Sequence, residues 1–173
     1  ANSITTDFVE GDAGVAGRLV TIDDPVRVAS ISKLVVALGV MRLAEQGKID
    51  LDRDVNQYLD WQVRNPAFPD TPVTMRQLLS HRSGLRDKID YIVPLDGDLS
   101  QVLAKPEAWE AAYPPGAYFS YANINSPLIA AVMEGATGER FDRLMARLVL
   151  TPLKLDACYN WGEGCNDGRR AQA

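Results

Sequence analysis

Val28-Ala29-Ser30-Ile31-Ser32-Lys33-Leu34-Val35-Val36-Ala37-Leu38-Gly39-Val40-Met41-Arg42-Leu43-Ala44-Glu45-Gln46-Gly47 is the stretch whose reading decides the fold. Ile31, Leu34, Val35, Leu38, Met41 and Leu43 recur near the 3.6-residue period and predict a helix from about Ser30 to Gln46. Gly47 sits where a C-terminal cap belongs. The start of this helix is almost wholly apolar apart from Ser30, Ser32 and Lys33, which suits a helix running through a core rather than along a surface.

Ser30 and Lys33 make an S-x-x-K pattern. Residues three apart lie on one helix face, about 5–6 Å apart at Cβ, so the lysine amine reaches the serine hydroxyl. At the helix N-terminus, the dipole and free amides favour negative charge developing on a substrate. Nucleophilic catalysis also needs an amine able to accept a proton, and burial favours its neutral form. The bland alternative is an ordinary N-cap serine beside a lysine. A chance S-x-x-K is expected roughly 0.2 times in a chain like this, so the pattern alone decides little.

A second cluster is Tyr121-Ala122-Asn123, which follows Pro114-Pro115-Gly116 and precedes a helix predicted over about Ser126 to Ala136. A phenol on such a turn can relay protons within a cleft, and an asparagine two residues on can hydrogen-bond a substrate. A packing tyrosine and a turn asparagine are the bland reading.

The rest of the chain frames these pieces. Residues 3–22 read as short strands and turns, with Ile4, Val9, Leu19, Val20 and Ile22 among glycines, and Asp23-Asp24-Pro25 as a turn. Asp50, Asp52 and Asp54 alternate, but no glycine or terminal glutamate falls in calcium-loop register, so they are read as a solvated turn. Thr74 is the expected N-cap of a short helix, with Gln77 in the capping-box position. Further helices are expected over 99–112 and from Phe141 to Leu150. Cys158 and Cys165 lack a neighbouring histidine or second pair, which argues against zinc and leaves a local disulfide or two free thiols open. The composition, 46% hydrophobic and 24% charged over 173 residues, is that of an ordinary globular protein. A net charge of −5 with scattered basic residues argues against nucleic-acid binding. The longest apolar run, Leu34 to Met41, is too short to span a membrane.

Taken in order, four segments carry a resemblance. Val28 to Lys33 is similar to the nucleophile helix of the class C β-lactamases, the serine D-Ala-D-Ala carboxypeptidases and the family VIII carboxylesterases. Ala44-Glu45-Gln46-Gly47-Lys48-Ile49-Asp50-Leu51-Asp52 resembles the end of that helix and its turn. Thr74-Met75-Arg76-Gln77-Leu78-Leu79-Ser80-His81-Arg82-Ser83-Gly84-Leu85 resembles the family signature between its first two catalytic motifs. Pro115-Gly116, Phe119 to Asn123 and Glu134-Gly135-Ala136-Thr137-Gly138 match the surroundings of its Y-x-N.

The resemblance implies an α+β, β-lactamase/transpeptidase-like fold. Residues 1–25 would give sheet-edge strands and a turn, 26–157 the nucleophile helix and helical region, and 158–173 a loop-like tail. It implies a serine hydrolase in which Ser30 forms an acyl-enzyme, Lys33 takes its proton, Tyr121 shuttles protons and Asn123 contacts substrate and Lys33. His81, the single histidine, would belong to a structural loop, and no G-x-S-x-G elbow supports a Ser-His-Asp triad. No metal or organic cofactor is implied.

The family's third motif, Lys or His followed by Thr or Ser and Gly, has no counterpart after Asn123. Arg82-Ser83-Gly84 belongs to the loop signature, and Thr137-Gly138 lacks the basic residue. Family members are longer, so the expectation is an incomplete domain completed by a second polypeptide, with a truncated fragment or a catalytically silent binding module as alternatives. A small amide, ester or peptide is the expected substrate, and a periplasmic or secreted location is favoured over the cytoplasm.

Overall fold

The structure is a computed structural model and describes residues 10–11, 18–90, 92, 97–160 and 165. Most of the strands expected over 3–22 therefore lie outside the described residues. Among the described residues there is no extended strand. Val20 N–H donates to Gly11 O at 3.2 Å, and isolated antiparallel bridges pair Asp54 with Thr74 and Leu85 with Trp109.

Helix α1 runs over Ile31–Glu45, as the period predicts. It ends at Gln46, and Gly47 takes φ +67°. Gly47 N–H then reaches Ala44 O at 3.0 Å and Lys48 N–H reaches Leu43 O at 2.9 Å, the paired bonds of a Schellman cap. The inner face of α1 buries Gly39, Val40 and Leu43. Its outer face carries Ile31, Leu34, Leu38 and Met41, the first two about two-thirds exposed at 65% and 66%. Leu19, Ile22, Val26 and Val28 are exposed as well. The apolar character on both sides, read as a helix running through a core, thus has a protein partner on one side only among the described residues.

Helix α2 (Met75–Leu79) opens with the expected capping box, in which Thr74 and Gln77 exchange side-chain and backbone bonds. The helix expected over 99–112 is instead α3 (Leu99–Leu103) followed by a 3₁₀ turn, Pro106–Ala108, and extended backbone at Trp109. The cause is local: proline disfavours the helical region for the residue before it, and Lys105 sits at φ −76°, ψ 128°. Helix α4 (Asn125–Thr137) stops at Gly138 in the left-handed region. The last helical segment is α-helical over Phe141–Met145 (α5) and π-helical over Ala146–Leu150.

These elements share one core. Helix α2 packs on α4, α4 on α5, and α1 on the π-helical turn. Leu43, Met75, Leu78, Leu128, Met133, Leu144 and Met145 are fully buried among them. The alternating aspartates resolve into separate jobs. Asp52 pairs with Arg76 at 2.6 Å, while Asp54 pairs with Arg64 and accepts from Asn56 N–H to start the Val55–Gln57 turn. Asp50 accepts from Asp52 N–H.

The segment after α2 is a strip gripped on both sides. Glu110 N–H donates to Gly84 O and Arg86 N–H to Ala108 O, while on the other side Gly116 N–H donates to Arg82 O and Ser120 N–H to His81 O. His81 takes φ +54°, a region few non-glycine residues occupy. Its Nδ1 accepts from Ala122 N–H at 3.3 Å and faces Asn125 Nδ2 at 3.2 Å. Asn125, 1% exposed, also bonds Ser83 Oγ at 2.6 Å and Ala122 O at 3.0 Å.

Two outcomes follow from this packing. An added Cβ at Gly135 would sit 1.8 Å from the Tyr58 carbonyl oxygen, which is backbone and cannot swing aside. Gly135→Ala should therefore cost about 1–3 kcal/mol in chemical denaturation, despite the better helix propensity of alanine. Burial first, and the Lys33 charge second, hold the His81 imidazole below its ordinary 6.5. The unfolded chain then binds the proton more readily, so stability is complete above that value and falls as pH drops below it. The thermal midpoint should decline on acidification through this window, and His81→Asn, which tolerates the left-handed backbone, should flatten that decline.

Candidate active site

Ser30 stands at the N-cap position of α1, yet its side chain makes no capping bond. The hydroxyl turns instead to two partners, Tyr121 Oη at 2.9 Å and Lys33 Nζ at 3.2 Å. The backbone prepares this exposure. Ala29 takes φ +45°, and a tight turn runs Ile31 N–H to Val28 O, Ser32 N–H to Ala29 O and Lys33 N–H to Ser30 O. Among the described residues Ser30 N–H itself meets no acceptor.

Lys33 Nζ also donates to Asn123 Oδ1 at 3.0 Å and lies 5.1 Å from the centre of the Tyr121 ring. The four residues singled out in the sequence, Ser30, Lys33, Tyr121 and Asn123, are thus one hydrogen-bonded group, although about 90 positions separate the two pairs. Tyr121 is 49% exposed, so the group opens on the surface. Hydrogen bonding from Lys33, then from Ser30, draws the Tyr121 phenol below its ordinary value of 10.0. An exposed group of hydroxyl, phenol and amine within hydrogen-bond reach can take the proton from the serine hydroxyl as it attacks and pass it on.

His81 lies behind this group. Its ring is 4.4 Å from the Tyr121 ring at a 30° tilt, and Phe119 meets its edge at 6.3 Å. With Nδ1 occupied by the Ala122 amide, the imidazole supports the Tyr121 turn, matching the structural-loop expectation.

Two polar residues escaped the sequence reading. The Asp87 carboxylate accepts from Asn123 N–H at 2.8 Å, Asn123 Nδ2 at 2.9 Å and Ile124 N–H at 3.0 Å. Asn125 ties the turn to His81 and Ser83, as described above. Neither falls in a pattern with a spacing rule. The available signal was only their closeness in sequence to the His81–Leu85 signature and to Asn123.

A third side chain buttresses the helix itself. Cys158 and Cys165 are paired as a disulfide, one of the two states the sequence leaves open. Beside it, Tyr159 donates its hydroxyl to Ser32 O at 3.2 Å and meets Phe141 edge-on at 5.1 Å. Burial pushes the Tyr159 phenol up to about 12. No described group of three or more His, Cys, Asp or Glu is placed to hold a metal ion, and no helix in the described region is long and apolar enough to cross a membrane.

Known proteins share this arrangement of sequence and fold. Esterase EstB of Burkholderia gladioli is 31% identical over 158 residues, which cover 83% of this chain and 40% of the esterase. The D-alanyl-D-alanine-carboxypeptidase/endopeptidase AmpH of Escherichia coli (strain K12) is 25% identical over 147 residues, covering 80% of this chain and 37% of AmpH. A D-stereospecific amidohydrolase from Streptomyces sp. superposes with a TM-score of 0.65 at 31% identity, over 78% of this chain and 44% of that one. The chain therefore spans less than half the length of each of these hydrolases, and its helical framework is that of the β-lactamase/transpeptidase-like fold. The family model described as Beta-lactamase matches residues 9–172, and the chain belongs to the β-lactamase family.

Proposed function

We propose that this chain carries the nucleophile region of a serine acyl hydrolase that cleaves an amide or ester through an acyl-enzyme on Ser30. The observation that carries this reading is the contact of Ser30 Oγ with both Tyr121 Oη and Lys33 Nζ, at 2.9 and 3.2 Å, in place of any capping bond. Ser30 Oγ attacks the substrate carbonyl carbon and gives its proton to Lys33. Tyr121 relays that proton to the departing amine or alcohol as the carbonyl–heteroatom bond breaks. Water then attacks the Ser30 ester, releasing the acid and restoring the serine hydroxyl. Ser30 N–H, free of other acceptors among the described residues, serves as one donor to the oxyanion. Asn123 holds Lys33 and faces the substrate. The chemistry needs no metal or organic cofactor.

The names of the relatives support the hydrolase class, with an esterase, a carboxypeptidase and an amidohydrolase among them. They do not agree on one substrate, and the choice among amide, ester and peptide rests on cleft walls beyond these helices. An α+β domain of the expected layout would place polypeptide outside residues 1–173, ideally a second chain, against Ile31, Leu34, Leu38 and Met41. An exposed apolar stripe of this kind favours association. The same polypeptide would bring the missing Lys/His-Thr/Ser-Gly motif. The Cys158–Cys165 disulfide supports a periplasmic or secreted location.

A fluorophosphonate probe should label Ser30, and Ser30→Ala should abolish labelling. Persistent labelling of that variant would put the nucleophile elsewhere. Lys33→Ala should slow labelling by at least about 10³-fold, because base and nucleophile act as a unit. Intact-mass analysis of the active protein should show polypeptide beyond the 19.0 kDa of this chain, and activity from a 19.0 kDa species alone would contradict the completed-domain reading.

A further inference from the structure

Asn123 lies between two partners of opposite hydrogen-bonding character. Lys33 Nζ has N–H groups to donate in either protonation state, and the Asp87 carboxylate accepts. A carboxamide fits between them in one orientation: its NH₂ toward the carboxylate and its oxygen toward the amine. The structure has that orientation, with Nδ2 to Asp87 Oδ2 at 2.9 Å and Oδ1 to Lys33 Nζ at 3.0 Å. The same Asp87 oxygen takes Asn123 N–H at 2.8 Å, and the other takes Ile124 N–H at 3.0 Å. The carboxylate therefore holds the main chain and side chain of one residue together, leaving the Asn123 amide little freedom to rotate. Asp87 in turn sits on the strip anchored by the Arg86 N–H to Ala108 O bond at 2.8 Å.

We infer that Asp87 is a positioning residue for acylation, locking the Asn123 amide so that its oxygen, and never its NH₂, faces the Lys33 amine. This rests on the hydrolase reading above. Asp87 shares no hydrogen bond with Ser30 or Tyr121, so its positioning effect passes through Asn123, while its charge acts separately on Tyr121 through space. Released from the carboxylate, the amide can turn its NH₂ toward Lys33, where it opposes the amine N–H groups or occupies the lone pair that must take the Ser30 proton. The amine then loses the contact that aims it at Ser30 Oγ.

The competing role is purely architectural, since Asp87 also caps the start of α4 through the Asn123 and Ile124 amides. A double-mutant cycle separates the two, because Asn123→Ala removes the carboxamide and keeps both backbone amides. The readout is the rate at which a fluorophosphonate labels Ser30 in the intact protein. Asp87→Ala should slow labelling about 10–100-fold in the wild-type background, the worth of a hydrogen bond to a charged group. In the Asn123→Ala background the same change should cost about threefold or less. Asp87→Asn keeps one acceptor oxygen and should fall between; it goes through the same cycle if Asp87→Ala does not fold. An equal loss in both backgrounds would mean that Asp87 acts as a cap or through its charge and not through the Asn123 amide, overturning the inference while leaving the hydrolase reading intact. A wild-type protein whose Ser30 is never labelled would overturn both.

Discussion

The site depends on one amine shared between two oxygens. Lys33 Nζ touches Ser30 Oγ within its own helix and Asn123 Oδ1 from a turn 90 residues later. The first contact is local and follows from helical spacing. The second is long-range, and it places the phenol of Tyr121 over the same hydroxyl. Remove the amine, and the two halves of the site have no direct polar tie other than the Ser30–Tyr121 contact.

Much of the framework works to make that second contact repeatable. The Tyr121–Asn123 turn is held from below by the His81 imidazole, from the side by the Asp87 carboxylate, and from within α4 by the buried Asn125. His81 adopts a positive φ to deliver its ring, so the loop accepts a conformational cost at the point where the turn needs support. On the other side, Tyr159 grips the Ser32 carbonyl, fixing the helix turn that lies between the serine and the lysine.

What could be read in the sequence was whatever depends on neighbours along the chain. The Ser30–Lys33 pair, the α1 period, the Gly47 cap and the Thr74–Gln77 capping box are local patterns with fixed spacing, and each stands in the structure. The break at Lys105-Pro106 was equally local, but a single helix expected over 99–112 ran across the proline without weighing its steric effect on Lys105. Asp87 and Asn125 were invisible for a different reason. Apart from the Asn125–Ala122 bond, their partners lie 36 to 44 positions away, and only the path of the loop after α2 brings them together. The strands expected near the N-terminus fall largely outside the described residues, so the layer that would meet the outer face of α1 rests on family resemblance alone.

Gly135 lies on the same helix that begins just after Asn123, and it does no chemistry. Because the Tyr58 carbonyl occupies the space of its missing side chain, the depth at which α4 seats is set there, twelve residues from the turn. A larger residue would lift the helix and carry the carboxamide and phenol with it. In a saturation-mutagenesis map, this glycine would read as intolerant as Ser30 and Lys33. Intolerance on such a map would mark the scaffold's calibration point as well as its chemistry.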